Sequence, residues 1–125
     1  PGSGRVSETG AHGTIVNAPL PPGANGESFR SAWRELIVPR VDSFKPQLIM
    51  VSAGFDGHRA DPLAGMNLDE DDYAWLTAQL VVLADKHAEG RIVSALEGGY
   101  DLTAITRCTR AHAFALNAVR DTPKQ

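Results

Sequence analysis

Hydrophobic positions along the chain switch between two periods, and the switches mark out its elements. Pro1–Gly13 is rich in glycine, serine and threonine and has no periodicity. Thr14–Ala18 ("TIVNA") is a short apolar run that predicts a strand. "PLPPGANG", Pro19–Gly26, then interrupts regular structure with prolines and glycines. From there Phe29, Ala32, Trp33, Leu36, Ile37, Val41 and Phe44 recur at helical spacing, with Asn25 placed to cap the start. Pro39 falls inside this pattern and predicts a kink or an early end. Leu48–Ala53 is almost continuously apolar, the pattern of a strand covered on both faces.

A polar, aperiodic loop follows, "GFDGHRADPLAGMN". Next comes the clearest helix, "LDEDDYAWLTAQLVVLADKHAEG", with Tyr73, Leu76, Leu80, Leu83 and Ala84 as its apolar stripe. Acids open it, Lys86 and His87 lie near its end, and Gly90 stops it. Arg91–Leu96 predicts another buried strand. Asp101 caps a last helix whose inward stripe is Leu102, Ile105, Thr109, Ala113 and Leu116. Asp121–Gln125 reads as a frayed tail. The order strand, helix, strand, helix, strand, helix predicts an α/β domain with a parallel sheet.

Composition narrows the function classes. The chain has 125 residues, is 42% apolar and 22% charged, and carries a net charge of -3. That gives one globular domain without the basic footprint of a nucleic-acid binder. The one cysteine, Cys108, excludes an intrachain disulfide and fits a reducing, cytoplasmic setting. No apolar run approaches the roughly 20 residues that a membrane helix needs.

In open parallel sheets, ligands bind beyond the carboxyl ends of the strands. Two segments leave such ends: "SAGFDGHRADPLAG", with Asp56, His58 and Asp61, and "LEGGYD", with Glu97, Gly98, Gly99 and Tyr100. The first three are possible metal ligands. On spacing alone they better suit a loop in which Asp61-Pro62 makes a turn and His58 sits on the rim. Gly98 and Gly99 permit close approach of backbone and ligand. Tyr100 then either presents its phenol to a developing oxyanion or packs its ring over the last helix. Glu97 reads as a structural carboxylate before a base. Cys108 reads as a small buried residue, His112 as packing or surface, and His87 as a C-terminal cation. Trp33 and Trp75 read as core or interface. "GSG" and "TGAHG" neither follow a strand nor open a helix, which argues against a phosphate loop and an α/β nucleotide binder.

Taken in order, "PGSGRVSETGAHGTIVNAPLPPG", "LIMVSAGFDGHRADPLAGMNL" and "SALEGGYDL" resemble the histone deacetylase family. The likeness runs from Pro1 to Ala115. It is strongest to the class II-like branch, with its bacterial deacetylase-like amidohydrolases and acetylpolyamine amidohydrolases. The resemblance implies a three-layer arginase/deacetylase-type fold, of which this chain is a β-α-β-α-β-α C-terminal part: a loop over 1–13, an α/β segment over 14–120 and a tail over 121–125. It implies zinc-dependent hydrolysis of acetyl-lysine or acetylpolyamine amides. It maps the oxyanion-binding tyrosine to Tyr100 and a zinc-ligand aspartate to Asp56. Gly98 and Gly99 map beside the acyl pocket, and His12 maps to a loop near the tunnel entrance. Some class II members have histidine where this chain has Tyr100.

The family's paired histidines and its Asp-x-His zinc motif are not in this sequence. The expectation is therefore a C-terminal fragment that is inactive and without zinc by itself. With open sheet edges, it would self-associate or need the missing N-terminal part. A non-catalytic interaction module with a deacetylase-like fold is the alternative.

Overall fold

A computed structural model of the protein describes residues 3–118, so the Asp121–Gln125 tail lies outside the described residues. Helix α1 spans Gly26–Ala32. Asn25 caps it as its sequence position predicts, its side chain accepting the Ser28 amide. The same helical path continues through a π-helical turn, Trp33–Ile37, into α2, Val38–Phe44. The break comes before Pro39. In an α-helix the proline ring would meet the carbonyl four residues back, and proline has no amide to offer. The π turn widens the ladder there, so that the Val38 amide reaches the Trp33 carbonyl instead.

Strand β1, Ile49–Ala53, pairs in parallel with β2, Ile92–Leu96, in the register Ile49↔Ile92 to Ala53↔Leu96. Helix α3, Glu70–His87, makes the crossover. Asp69 and Asp72 form a reciprocal capping box at its start. Asp72 also pairs with Arg30 at 2.8 Å, tying α1 to α3. At the other end His87 Nε2 reaches Asp42 Oδ1 of α2 at 2.8 Å, joining α3 to α2. Helix α4, Leu102–Leu116, is capped by Asp101 through the Ala104 amide. Among the described residues no helix is long and apolar enough to cross a membrane.

Two expectations about strands are corrected. Thr14–Ala18 forms no strand. Among the described residues no neighbouring strand offers it a ladder, and its hydrogen bonds are local: the Ile15 amide donates to Thr9 O at 3.0 Å. Asn17 Nδ2 reaches back to Arg5 O and Glu8 O. Nor is β1 covered on both faces. Ile49 and Ala53 are buried, whereas Met50 is 76% exposed. The helices pack on the face of Ile49, Val51 and Ala53, where Leu83, Ala84 and Ala88 close one cluster and Phe55, Leu68, Tyr73 and Cys108 another. The opposite face, with Met50 beside Val93, is open among the described residues. For the same reason β2 is less buried than its apolar run predicts.

The last helix turns only part of its predicted stripe inward: Ile105 packs against the core, whereas Leu102, Thr109 and Ala113 are exposed. Ala104, Cys108 and His112 are buried, while Leu102 is 83% exposed. Small side chains at Ala104 and Cys108 let α4 come close to α3. Burial pushes the Cys108 thiol up to about 12, which makes it a poor nucleophile. His112 is buried because both ring nitrogens have partners: Thr77 Oγ1 at 2.7 Å and Ser94 Oγ at 2.8 Å. The Thr77 hydroxyl donates to Tyr73 O at 2.7 Å. It therefore accepts from His112 Nδ1–H, and Nε2 accepts from Ser94.

Burial lowers the His112 pKa below its ordinary value near 6.5. Between the folded and unfolded values the unfolded chain holds the extra proton. This contribution to stability is therefore full above about pH 6.5 and is lost as pH falls toward the folded value. The melting temperature should fall more steeply between pH 7 and 5 in the native chain than in His112→Gln. Equal slopes would remove the assignment.

Candidate functional site

The site is built where β1 and β2 end side by side. Parallel pairing continues past both ends. The Glu97 amide donates to Ala53 O at 3.0 Å and the Phe55 amide to Gly98 O at 2.8 Å. Phe55 anchors this junction by packing edge-on against Tyr73, ring centroids 5.1 Å apart, and against His112 at 5.8 Å. The next residue, Asp56, then turns its carboxylate against Gly98. A Cβ on Gly98 would stand 2.9 Å from Asp56 Oδ1 and 3.0 Å from its Cγ, so the space that glycine leaves is the space that Asp56 fills. Gly99 follows with φ +137°, a conformation open to glycine, and carries the chain over Ile105. Tyr100 emerges 58% exposed. Of the two readings its sequence allows, this exposure goes against a residue packed away over α4.

Asp61 closes the arrangement from the other side. Its Oδ2 accepts the Tyr100 amide at 2.8 Å and its Oδ1 the Leu63 amide at 2.9 Å. Burial alone would raise the Asp61 pKa. The amides of Leu63, Tyr100, Ala64 and Asp101 outweigh it and hold the carboxyl below its usual range.

His58 is not a rim residue. It is 4% exposed, with Nδ1 accepting the Ala60 amide at 3.1 Å and Nε2 lying 3.2 Å from Glu70 Oε2. That fastens the Asp56 loop to the start of α3. The Glu70 carboxyl is held low by its own backbone amide and then by His58.

Asp56, His58 and Asp61 thus do not converge. Among the described residues no three His, Cys, Asp or Glu side chains cluster as a metal site. A zinc centre takes at least three protein ligands, so the residues present do not form one by themselves.

Asp56, Gly98, Gly99 and Tyr100 come together, and His12 does not join them. His12 is exposed beside Gly13, whose carbonyl accepts from Arg40 of α2 at 3.3 Å. Gly13 lines a cavity of about 820 Å³ with Phe44, Pro46 and Leu48, at the start of β1 and not its end.

A second cavity, of about 600 Å³, is lined by every residue of β1 and none of β2, so it lies along the unpaired side of β1. Trp33, Leu20 and Asp56 border it. So does Tyr73, 6% exposed, whose hydroxyl has no hydrogen-bond partner among the described residues. Burial raises the Tyr73 pKa. Its place in the apolar stripe of α3 hid that hydroxyl from a sequence reading.

The family profile described as "Histone deacetylase domain" matches residues 1–116. The chain is 40% identical to "Type-2 histone deacetylase 2" of Dictyostelium discoideum, over 90% of this chain and 7% of that protein. It is 36% identical to "Histone deacetylase-like amidohydrolase" of Pseudomonas aeruginosa, over 95% of this chain and 31% of that one. The crystal structure of the HDA15 HD domain superposes with a TM-score of 0.86 at 30% identity, covering 99% of this chain and 35% of that chain. The chain thus spans about a third or less of the length of each.

Proposed function

Because this chain belongs to the histone deacetylase family, we propose that it is the part of a zinc-dependent amidohydrolase domain that carries one metal-ligand carboxylate and the carbonyl-binding phenol. The completed domain, in this reading, hydrolyses the amides of acetylated lysines or polyamines. Asp56 supplies the carboxylate, and the other ligands come from segments that the longer relatives have beyond this stretch. The Tyr100 hydroxyl donates to the substrate carbonyl and to the oxyanion that forms from it. Gly98 and Gly99 form the wall beside the acyl group. The place of His12 near the tunnel entrance rests on the sequence resemblance alone. The observation that carries the reading is the fit of the Asp56 carboxylate against Gly98, two residues before an exposed Tyr100.

The open side of β1, the exposed Met50 and the unpartnered Tyr73 hydroxyl support a further part of the proposal. The rest of the domain covers these groups, and in the chain alone a second copy does. The single buried cysteine fits a cytoplasmic setting.

The test compares this chain with the complete domain, meaning this stretch together with the remaining segments of its protein. The complete domain should hydrolyse an acetyl-lysine peptide, lose that activity to a chelator and regain it with zinc. The isolated chain should hydrolyse none, and its mass by light scattering should rise with concentration. A complete domain that binds no zinc and hydrolyses no acylated amine would favour the non-catalytic interaction module. A compact monomer at every concentration would count against coverage by a second copy.

A further inference from the structure

Tyr100 is useful only where its hydroxyl can meet a carbonyl, and little in its immediate surroundings fixes it there. The residue before it, Gly99, has the freest backbone available, and Tyr100 is more than half exposed. On the far side Asp101 turns its carboxylate away, to the Ala104 amide at 2.7 Å. What reaches the Tyr100 amide is a side chain 39 positions upstream, Asp61. We propose that Asp61 is a positioning residue for Tyr100: its carboxylate clamps the tyrosine loop to the loop that carries Asp56, and so sets the distance between phenol and metal-ligand carboxylate. The inference rests on the reading of Tyr100 as the carbonyl donor.

The geometry asks for a carboxylate. Oδ1 is engaged by Leu63 within the Asp56 loop, and Oδ2 by Tyr100 across to the other. An anion with two acceptor oxygens can hold both amides, and charge makes each hydrogen bond stronger. Asparagine has one acceptor oxygen and puts an amide donor against one of those N–H groups. Asp61→Asn should therefore keep the shape of the loop and lose one of the two bonds. Asp61→Ala loses both.

The experiment uses the complete domain and an acetyl-lysine peptide, with Asp61→Asn, Asp61→Ala, Tyr100→Phe and the double variant Asp61→Ala/Tyr100→Phe. A reacting group displaced by about 1 Å can cost on the order of 100-fold. Asp61→Ala should lower kcat by about 10- to 100-fold with KM little changed. Asp61→Asn should show a smaller loss of the same kind. In the Tyr100→Phe background, Asp61→Ala should cost almost nothing more, because the group it positions is already gone. Amide exchange at Tyr100 should speed up in both Asp61 variants.

A purely structural Asp61 would cost the same factor with or without the hydroxyl, and that result overturns the proposal. So does unchanged exchange at Tyr100 in both variants, whatever the turnover. Near-normal kcat in Tyr100→Phe strikes instead at the proposed function, and the exchange measurement then decides the clamp by itself.

Discussion

Tyr100→Phe in the complete domain should lower kcat by about 10²- to 10³-fold, or about 2.7–4 kcal/mol of barrier, with little change in KM or in melting temperature. The size follows from what one preorganised donor to an oxyanion is worth, since its hydrogen bond strengthens as charge builds on the carbonyl oxygen. The small effect on stability follows from the position. Tyr100 is 58% exposed in this chain, and the substitution deletes one oxygen. Activity and stability should therefore separate cleanly. A variant that turns over at nearly the native rate would end the assignment of Tyr100 as donor. A variant that melts far below the native chain would show that the hydroxyl supports the fold.

The second large effect is expected from a methyl group. In Gly98→Ala the new Cβ would stand 2.9 Å from Asp56 Oδ1 and 3.0 Å from Asp56 Cγ, closer than such atoms pack. Gly98 is not among the glycines with positive φ, so alanine strains no backbone there. The carboxylate has to give way. Groups that orient a metal ligand commonly control about 10- to 100-fold in metal affinity. Gly98→Ala should cost about that much in zinc affinity, measured by competition with a chelator, while the domain stays folded. Zinc bound as tightly as by the native domain would mean that Asp56 either moves freely or is not a ligand.

The place of Gly98 and Tyr100 at a strand end was legible because the signals that bound the elements are local, whereas the roles proposed for them come from the family resemblance. Asn25 and Asp101 cap their helices from their own positions, and Asp69 caps α3 in the same way. The alternation of strand and helix predicts that β1 and β2 pair in parallel. Their following loops, with Asp56 and Tyr100, then meet at the same edge.

What was not legible depends on partners far away in the chain. An apolar run such as Thr14–Ala18 reads as a strand whether or not a neighbour exists to pair with it. The apolar residues of α4 placed Ile105 correctly but missed His112, which is accommodated by Ser94 and Thr77, the latter 35 positions away. Asp61 looked like half of an Asp-Pro turn. Its Oδ1 does serve that loop, through Leu63, but the partner of its Oδ2 comes 39 residues later. His58 looked like a rim residue because nothing beside it in sequence announces Glu70 as its partner.

The chain of donors from Ser94 through His112 and Thr77 to the Tyr73 carbonyl joins β2, α4 and α3. Each member fixes the proton of the next, so the positions cannot drift one at a time. An apolar residue at 94 strands an imidazole nitrogen, and one at 77 strands the other. A leucine at 112 takes the acceptor from the Ser94 hydroxyl and the donor from the Thr77 oxygen. Over evolutionary time residues 77, 94 and 112 should therefore be inherited as one unit, kept together or exchanged together for an apolar set of similar volume.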